Sequence, residues 1–260
     1  MGPGLGSDAR AAAADAARSV CLGLIDRIAG SCVAVKPQLA RFEALGPPGL
    51  EALGAVCAAA SEAGLLVIAD GKRGDVPVTA EAYGAGLVGT TETPWGPVGG
   101  LGADAFTANP LLGRDSLEPL VQAAESSGAG IFTLVRTSNP GASELLDIDA
   151  AGRPLHERIA ELVDELAPRL VGSCGLSGAG AVVGATQPGF IRRLRELMPR
   201  SIFLLPGIGS QGGDPDAVGD AFATDPAAAL VAASRSVVGA GDPAVAAEQL
   251  RKKVWAASGG

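Results

Sequence analysis

From Ala69 to Val78 the chain reads Ala-Asp-Gly-Lys-Arg-Gly-Asp-Val-Pro-Val, which sets Asp70, Lys72 and Asp75 just past the apolar run Leu65 to Ala69. That run reads as a buried parallel strand, and the ground beyond the carboxyl end of such a strand is where α/β folds place their chemistry. An ammonium held between carboxylates keeps its proton, while a carboxylate forced near another anion is strained. The alternation of acid, base and acid therefore suits a reaction that expels negative charge and then delivers a proton. The bland alternative, a solvated charge run, fits poorly with a position directly after a buried strand.

A second constellation lies late in the chain. The apolar run ending at Leu205 opens into Pro206-Gly207-Ile208-Gly209-Ser210-Gln211-Gly212-Gly213, and the run ending at Ala232 is followed closely by Ser234-Arg235-Ser236. Glycines let backbone N–H groups close around an anion, Arg235 adds a bidentate grip and Gln211 a neutral donor. Loops after the last two strands of a barrel commonly hold phosphate. Tight turns alone would explain a lone G-x-G, but a glycine loop and an arginine at neighbouring strand ends favour phosphate. A dinucleotide fold is excluded because the glycines arrive late and lack the G-x-G-x-x-G spacing after a first strand.

The elements that must position these groups follow a βαβα rhythm. Strands are expected at Val20 to Leu24, Cys32 to Lys36, Leu65 to Ala69, Ala103 to Thr107, Gly130 to Val135, Ala181 to Gly184, Ile202 to Leu205 and Ala229 to Ala232. Helices are expected at Gly49 to Ala63, Val78 to Val88, Ser116 to Ser127, Pro154 to Leu170, Pro188 to Met198, Asp216 to Phe222 and Pro243 to Ala256, several opening on Pro or Asp. The pattern predicts an α/β (β/α)8 barrel in one domain over residues 1–260. Residues 1–18 form a helical or flexible lead and 257–260 a disordered tail. Its first unit is abbreviated, because only Ile25 to Ser31 separate the first two runs and a parallel crossover needs a dozen or so residues. The loops Arg136 to Gly152 and Pro206 to Pro215 should overhang the site, and Thr90 to Gly102, with Trp95, should lie at the opposite end.

Composition narrows the partners. The 260 residues carry a formal net charge of -8, which argues against a general nucleic-acid surface. No apolar run approaches a membrane span and Ala11 to Ala17 is broken by Asp15, so a cytoplasmic protein without membrane contact is expected. Cys21, Cys32, Cys57 and Cys174 form no C-x-x-C pair and read as buried free thiols, with His156 the lone histidine. A metal site of the usual ligands has too few candidates, and His156, in the opening turn of a helix, is expected on the solvated surface.

With these pieces in place the chain resembles the orotidine 5'-phosphate decarboxylase family. The resemblance rests on Val35-Lys36-Pro37-Gln38, Asp70 to Val76, Thr137-Ser138-Asn139-Pro140-Gly141, Val182 to Thr186, Pro206 to Gly213 and Ser234-Arg235, in order over about residues 32 to 240. It implies a dimeric barrel, without metal or organic cofactor, that turns orotidine 5'-phosphate into UMP. It further implies that Lys36, Asp70 and Lys72 form a charged network, with Lys72 stabilising and then protonating the carbanion at C6 of the pyrimidine. Asp75 and Thr79 would enter the neighbouring subunit's site. Ser138 would bind the pyrimidine, and Pro206, Gln211 and Arg235 the 5'-phosphate.

Four features depart from the family pattern. Ile25-Asp26 stands where Asp-Pro is usual, leaving Asp26 only a displaced candidate for the ribose contact. Gly71 replaces Ala, Pro77-Val78 replace Gly-Ser, and Ala233 replaces Asn or Ser. Two other readings follow: a paralogue that binds a pyrimidine nucleotide with altered or lost activity, and a metal-dependent sugar-phosphate decarboxylase or aldolase of related barrels. The latter wants an acid at the second strand end, where this chain has Lys36, which repels Mg2+.

Overall fold

A computed structural model of the chain describes residues 4–208 and 212–259. Among them, seven strands form one sheet: β1 (Ala34–Val35), β2 (Leu66–Arg73), β5 (Ala105–Ala108), β6 (Gly130–Arg136), β7 (Ser177–Val183), β8 (Ser201–Pro206) and β9 (Ala229–Ala232), neighbours in that order. Every pairing is parallel, so all seven carboxyl ends share one rim. Between β2 and β5 lies a two-residue hairpin pair, β3 (Thr90–Thr91) and β4 (Val98–Gly99). It precedes β5 and so sits toward the opposite end, with the Trp95 side chain almost fully exposed.

The sheet curls. Ile68, Ala105, Phe132, Val182 and Leu204 pack into one cluster with Ala34 and Leu230, so every strand contributes a residue to the same inner face. Alternate residues such as Val67, Phe106, Ile131, Phe203 and Leu205 point outward into two clusters shared with the helices. Two-sided burial is why these strands read as continuous apolar runs. The large ones, Phe106 and Phe203, each contribute about 1.5–3 kcal/mol by leaving water.

The helices are α1 (Gly4–Ile28), α2 (Leu39–Glu43), α3 (Pro47–Glu62), α4 (Pro77–Leu87), α5 (Arg114–Ser127), α6 (Ala142–Leu146), α7 (Leu155–Leu166), α8 (Pro188–Leu197), α9 (Arg235–Val238) and α10 (Pro243–Ala257). Proline opens α3, α4, α8 and α10, where its missing N–H costs nothing, and Asp242 caps α10 by accepting from Ala244 N and Val245 N. The expected helix ends of Pro154 to Leu170 and Asp216 to Phe222 are tighter than α: residues Ala167–Leu170 and Pro215–Phe222 are 3-10 turns.

Three expectations are corrected. Val20 to Leu24 is not a strand but part of α1, because Ala14, Cys21, Ile25 and Ile28 recur at helical spacing on the face packed inward while Val20 is exposed. His156 is buried rather than solvated: it belongs with Ile159, Ala160, Val163 and Leu166 to the apolar face of α7. Of the thiols only Cys57 is buried, its pKa pushed up to about 11 by desolvation; Cys21 and Cys32 are half-buried and Cys174 is exposed. No helix among the described residues is long and apolar enough to cross a membrane.

Candidate active site

The site grows from the junction of β1 and β2. Val35 pairs with Val67, and the pairing continues past the strand as a bridge between Gln38 and Asp70, with Asp70 N donating to Pro37 O at 3.0 Å. This register delivers Lys36 to the Asp70 carboxylate. Asp70 accepts from Lys36 Nζ on Oδ2, and from Lys72 Nζ and Thr107 Oγ1 on Oδ1, the last at 3.0 Å. Its side chain is 6% exposed, whereas that of Lys72 is 45% exposed, so a buried acid holds an ammonium that still faces open space.

Burial pushes the Asp70 carboxyl up and is the largest single influence. The charge and hydrogen bond of Lys36, then those of Lys72, together outweigh it and hold the group below the usual carboxylate range. The acid is thereby kept ionised between two cations. Removing one cation leaves the carboxylate paired with the other, so the cost falls below the about 3–5 kcal/mol of an unpaired buried charge.

Lys72 also has an unusual backbone. Its φ is +47°, a left-handed conformation that costs a non-glycine residue about 1–2 kcal/mol. The β2–β5 register explains it: Ala69 pairs with Phe106 and Arg73 with Ala108, so Asp70, Gly71 and Lys72 oppose Thr107 alone. The bulge turns both charged side chains to the same cluster. Thr107, 1% exposed, is a member of this cluster that a reading of residue types passes over, since threonine in a strand is ordinary.

Asp75 and Thr79 stand apart from the charges. Asp75 Oδ1 accepts from Val76 N at 2.7 Å, and its carboxylate makes no ion pair among the described residues. Thr79 lies in the first turn of α4, half-buried, beside exposed Val76 and Val78. Pro77, the first residue of α4, fits there as a helix start.

Ser138 follows β6 and lies against Gly184, which follows β7. The segment is anchored by Arg136, whose Nε and Nη2 donate to Asp147 at 2.8 and 3.0 Å and whose Nη1 donates to Thr137 O at 2.6 Å. His156 Nδ1 donates to Leu146 O at 2.8 Å and stands 3.1 Å from Asp147 Oδ1, with Phe190 edge-on to its ring. Pro206 ends β8, pairs with Ala232 and accepts from Ala185 N at 3.0 Å. Arg235 opens α9 with an exposed guanidinium that has no carboxylate partner among the described residues. Gln211 falls outside the described residues.

The parallel topology puts the Lys36, Asp70 and Lys72 cluster, Ser138, Pro206 and Arg235 on one rim. Asp26 makes no ion pair with this cluster among the described residues. It is exposed on α1, where the next residue, Arg27, donates to Asp242 at 2.9 Å. No group of three or more His, Cys, Asp or Glu side chains among the described residues is arranged to hold a metal ion.

Residues 11–250 match the model of the orotidine 5'-phosphate decarboxylase / HUMPS family. A relative from Rhodopirellula baltica named orotidine 5'-phosphate decarboxylase is 47% identical over 221 residues, spanning 84% of this chain and 71% of its own. One of the same name from Deinococcus radiodurans is 43% identical over 221 residues, spanning 85% of this chain and 76% of its own. The solved structure of Leishmania donovani OMP decarboxylase superposes with a TM-score of 0.79 at 31% identity, covering 95% of this chain and 90% of that one.

Proposed function

The chain belongs to the orotidine 5'-phosphate decarboxylase / HUMPS family and is a carbon–carbon lyase that converts orotidine 5'-phosphate to UMP, and we propose that Lys72 carries the chemistry. The observation that carries this is the half-exposed Lys72 ammonium held on the buried Asp70 carboxylate, at the rim where the strands end.

In this mechanism the bond between C6 and the carboxylate carbon breaks, CO2 leaves, and the electron pair stays on C6. A carbanion on that sp2 carbon is poorly stabilised by water. The fixed ammonium of Lys72 lowers its energy by charge and then transfers a proton to it, leaving a neutral amine that regains a proton from solvent. Asp70 crowds the departing carboxylate and orients Lys72, while Lys36 keeps Asp70 ionised when Lys72 gives up its proton. Arg235, with Pro206 shaping the wall and Gln211 as a further donor, holds the 5'-phosphate, and Ser138 bonds the pyrimidine. Contacts far from C6 lower the barrier by positioning the base.

The sheet belongs to a (β/α)8-type barrel whose first unit is abbreviated. Val35 beside one edge and Ala233 beyond the other pack into one cluster with Ile28, Val237 and Ala247, so the end of α1 helps close the curl. The active form is a homodimer in which Asp75 and Thr79 complete the partner's site. Exposed Val76, Val78, Leu111 and Leu112 surround the two loops that would meet, and Asn109 N bonding Arg73 O at 2.8 Å ties those loops together. No reaction step requires a metal, and Lys36 would repel one at this strand end.

The test is direct. Chelator-treated protein incubated with orotidine 5'-phosphate should convert it to UMP, followed as a loss of absorbance, and Lys72→Ala should abolish turnover without unfolding the chain. Undiminished turnover in that variant, or activity that returns only with Mg2+, would overturn the reading.

A further inference from the structure

We infer that Thr107 is a positioning residue for the reaction, because its hydroxyl joins the Lys72 backbone amide to the Asp70 carboxylate across the bulge that presents them. The inference rests on the reading of Lys72 as the proton donor. Across a regular parallel pair, backbone amides would find backbone carbonyls on the neighbouring strand. Here three residues of β2 face one of β5, and the ladder is broken between Ala69 and Arg73. Lys72 N donates instead to Thr107 Oγ1 at 2.9 Å, and the same hydroxyl donates to Asp70 Oδ1 at 3.0 Å.

One buried oxygen thus satisfies the amide of a left-handed lysine and fixes the carboxylate to which that lysine's ammonium is bound. A hydroxyl has one proton to give and lone pairs to accept with, so a single threonine fills both needs, and no apolar side chain fills either. The arrangement is closed: Asp70 Oδ1 takes Lys72 and Thr107, and Oδ2 takes Lys36. Without the hydroxyl, the Lys72 amide loses its partner and the bulge loses the contact that selects its conformation. The ammonium would then sample positions away from C6, and displacement by about 1 Å can cost about 100-fold in rate.

Steady-state kinetics, UMP affinity by calorimetry and thermal melting of Thr107→Val, Thr107→Ser and Lys72→Ala test this. Thr107→Val keeps the shape and removes the hydroxyl; the expected result is a kcat lower by about 30- to 100-fold, with KM and UMP affinity within about twofold of the parent. Thr107→Ser keeps both hydrogen bonds and should restore kcat to within about threefold. A parental kcat in folded Thr107→Val, while Lys72→Ala is inactive, overturns the inference and leaves the role of Lys72 standing; an active Lys72→Ala overturns that role itself. Equal losses in the Val and Ser variants assign the effect to the methyl group and also overturn the inference. Should Thr107→Val not fold, Thr107→Cys, a weak donor of similar size, replaces it. A cysteine variant at least tenfold slower than the serine variant then supports the bridge, and equal rates overturn it.

Discussion

Gly184 and Ser138 approach so closely that a Cβ placed on Gly184 would stand 2.9 Å from both the Cβ and the backbone nitrogen of Ser138. One is backbone and the other is fixed directly to it, rather than the free end of a side chain, and Gly184 N is itself held by Arg136 O at 2.7 Å. Gly184→Ala must therefore move the Ser138 segment. If Ser138 bonds the pyrimidine, the loss is that of about one hydrogen bond, roughly 0.5–1.5 kcal/mol, read as a KM about 2- to 12-fold higher with kcat less changed. Unaltered KM in a variant shown to be folded would remove Ser138 from the substrate contacts.

Asp70 predicts the acid limb of the stability curve. Its folded-state pKa lies below the ordinary 3.8, so its ionised form contributes stability that is present in full above that value and is lost as pH falls through the lowered one. Lys36→Met deletes the strongest of the influences that lower it and leaves burial, which raises it. Acid unfolding followed by circular dichroism should then begin at higher pH in the variant. Coincident acid midpoints would show that Lys36 does not govern the ionisation of Asp70.

The sequence patterns and the fold agree best where a local signal has a single physical reading. Short β-branched runs bounded by Gly or Pro located seven strands of the sheet, since burial on both faces demands apolar side chains throughout. Val20 to Leu24 has the same composition, and only the wider spacing of Ala14, Cys21, Ile25 and Ile28 reveals that it is helical. Asp70 and Lys72 were legible because charges at a buried strand end are costly unless they act. Thr107 was not, because its role comes from a break in register between β2 and β5 that no window of one strand contains. The burial of His156 was visible in the spacing of α7 but required Phe190 and Asp147, distant in sequence, to become plausible.

Arg136 is the anchor of the segment that carries Ser138. Its side chain is 7% exposed, grips Asp147 through two nitrogens and stacks 4.9 Å above the Phe190 ring. Arg136→Met leaves Asp147 only His156 Nδ1, 3.1 Å away, and some water, so a loss near the lower end of about 3–5 kcal/mol is expected. For a chain of this size that corresponds to a melting temperature lower by about 6–12 °C. Arg136→Lys keeps the charge without the planar fork and should fall between. A lysine variant melting with the parent would show that the two-point contact contributes nothing.

The loop that carries Asp75 is the place to test the shared site. Val78 is 82% exposed in the first turn of α4, one residue before Thr79, and Val76, Leu111 and Leu112 are exposed around it. Exposed apolar side chains beside two residues proposed to act on a neighbouring molecule are what a second copy of the chain would cover. Val78→Glu puts a charge at that contact without touching the core, so the folded monomer should retain its melting behaviour at high dilution. Sedimentation velocity should show a dimer for the parent and a shift toward monomer for the variant. Turnover per chain should fall in parallel and recover as protein concentration rises. A parent that sediments as a monomer with full turnover would place the whole site within one chain and leave Asp75 and Thr79 without the role assigned to them.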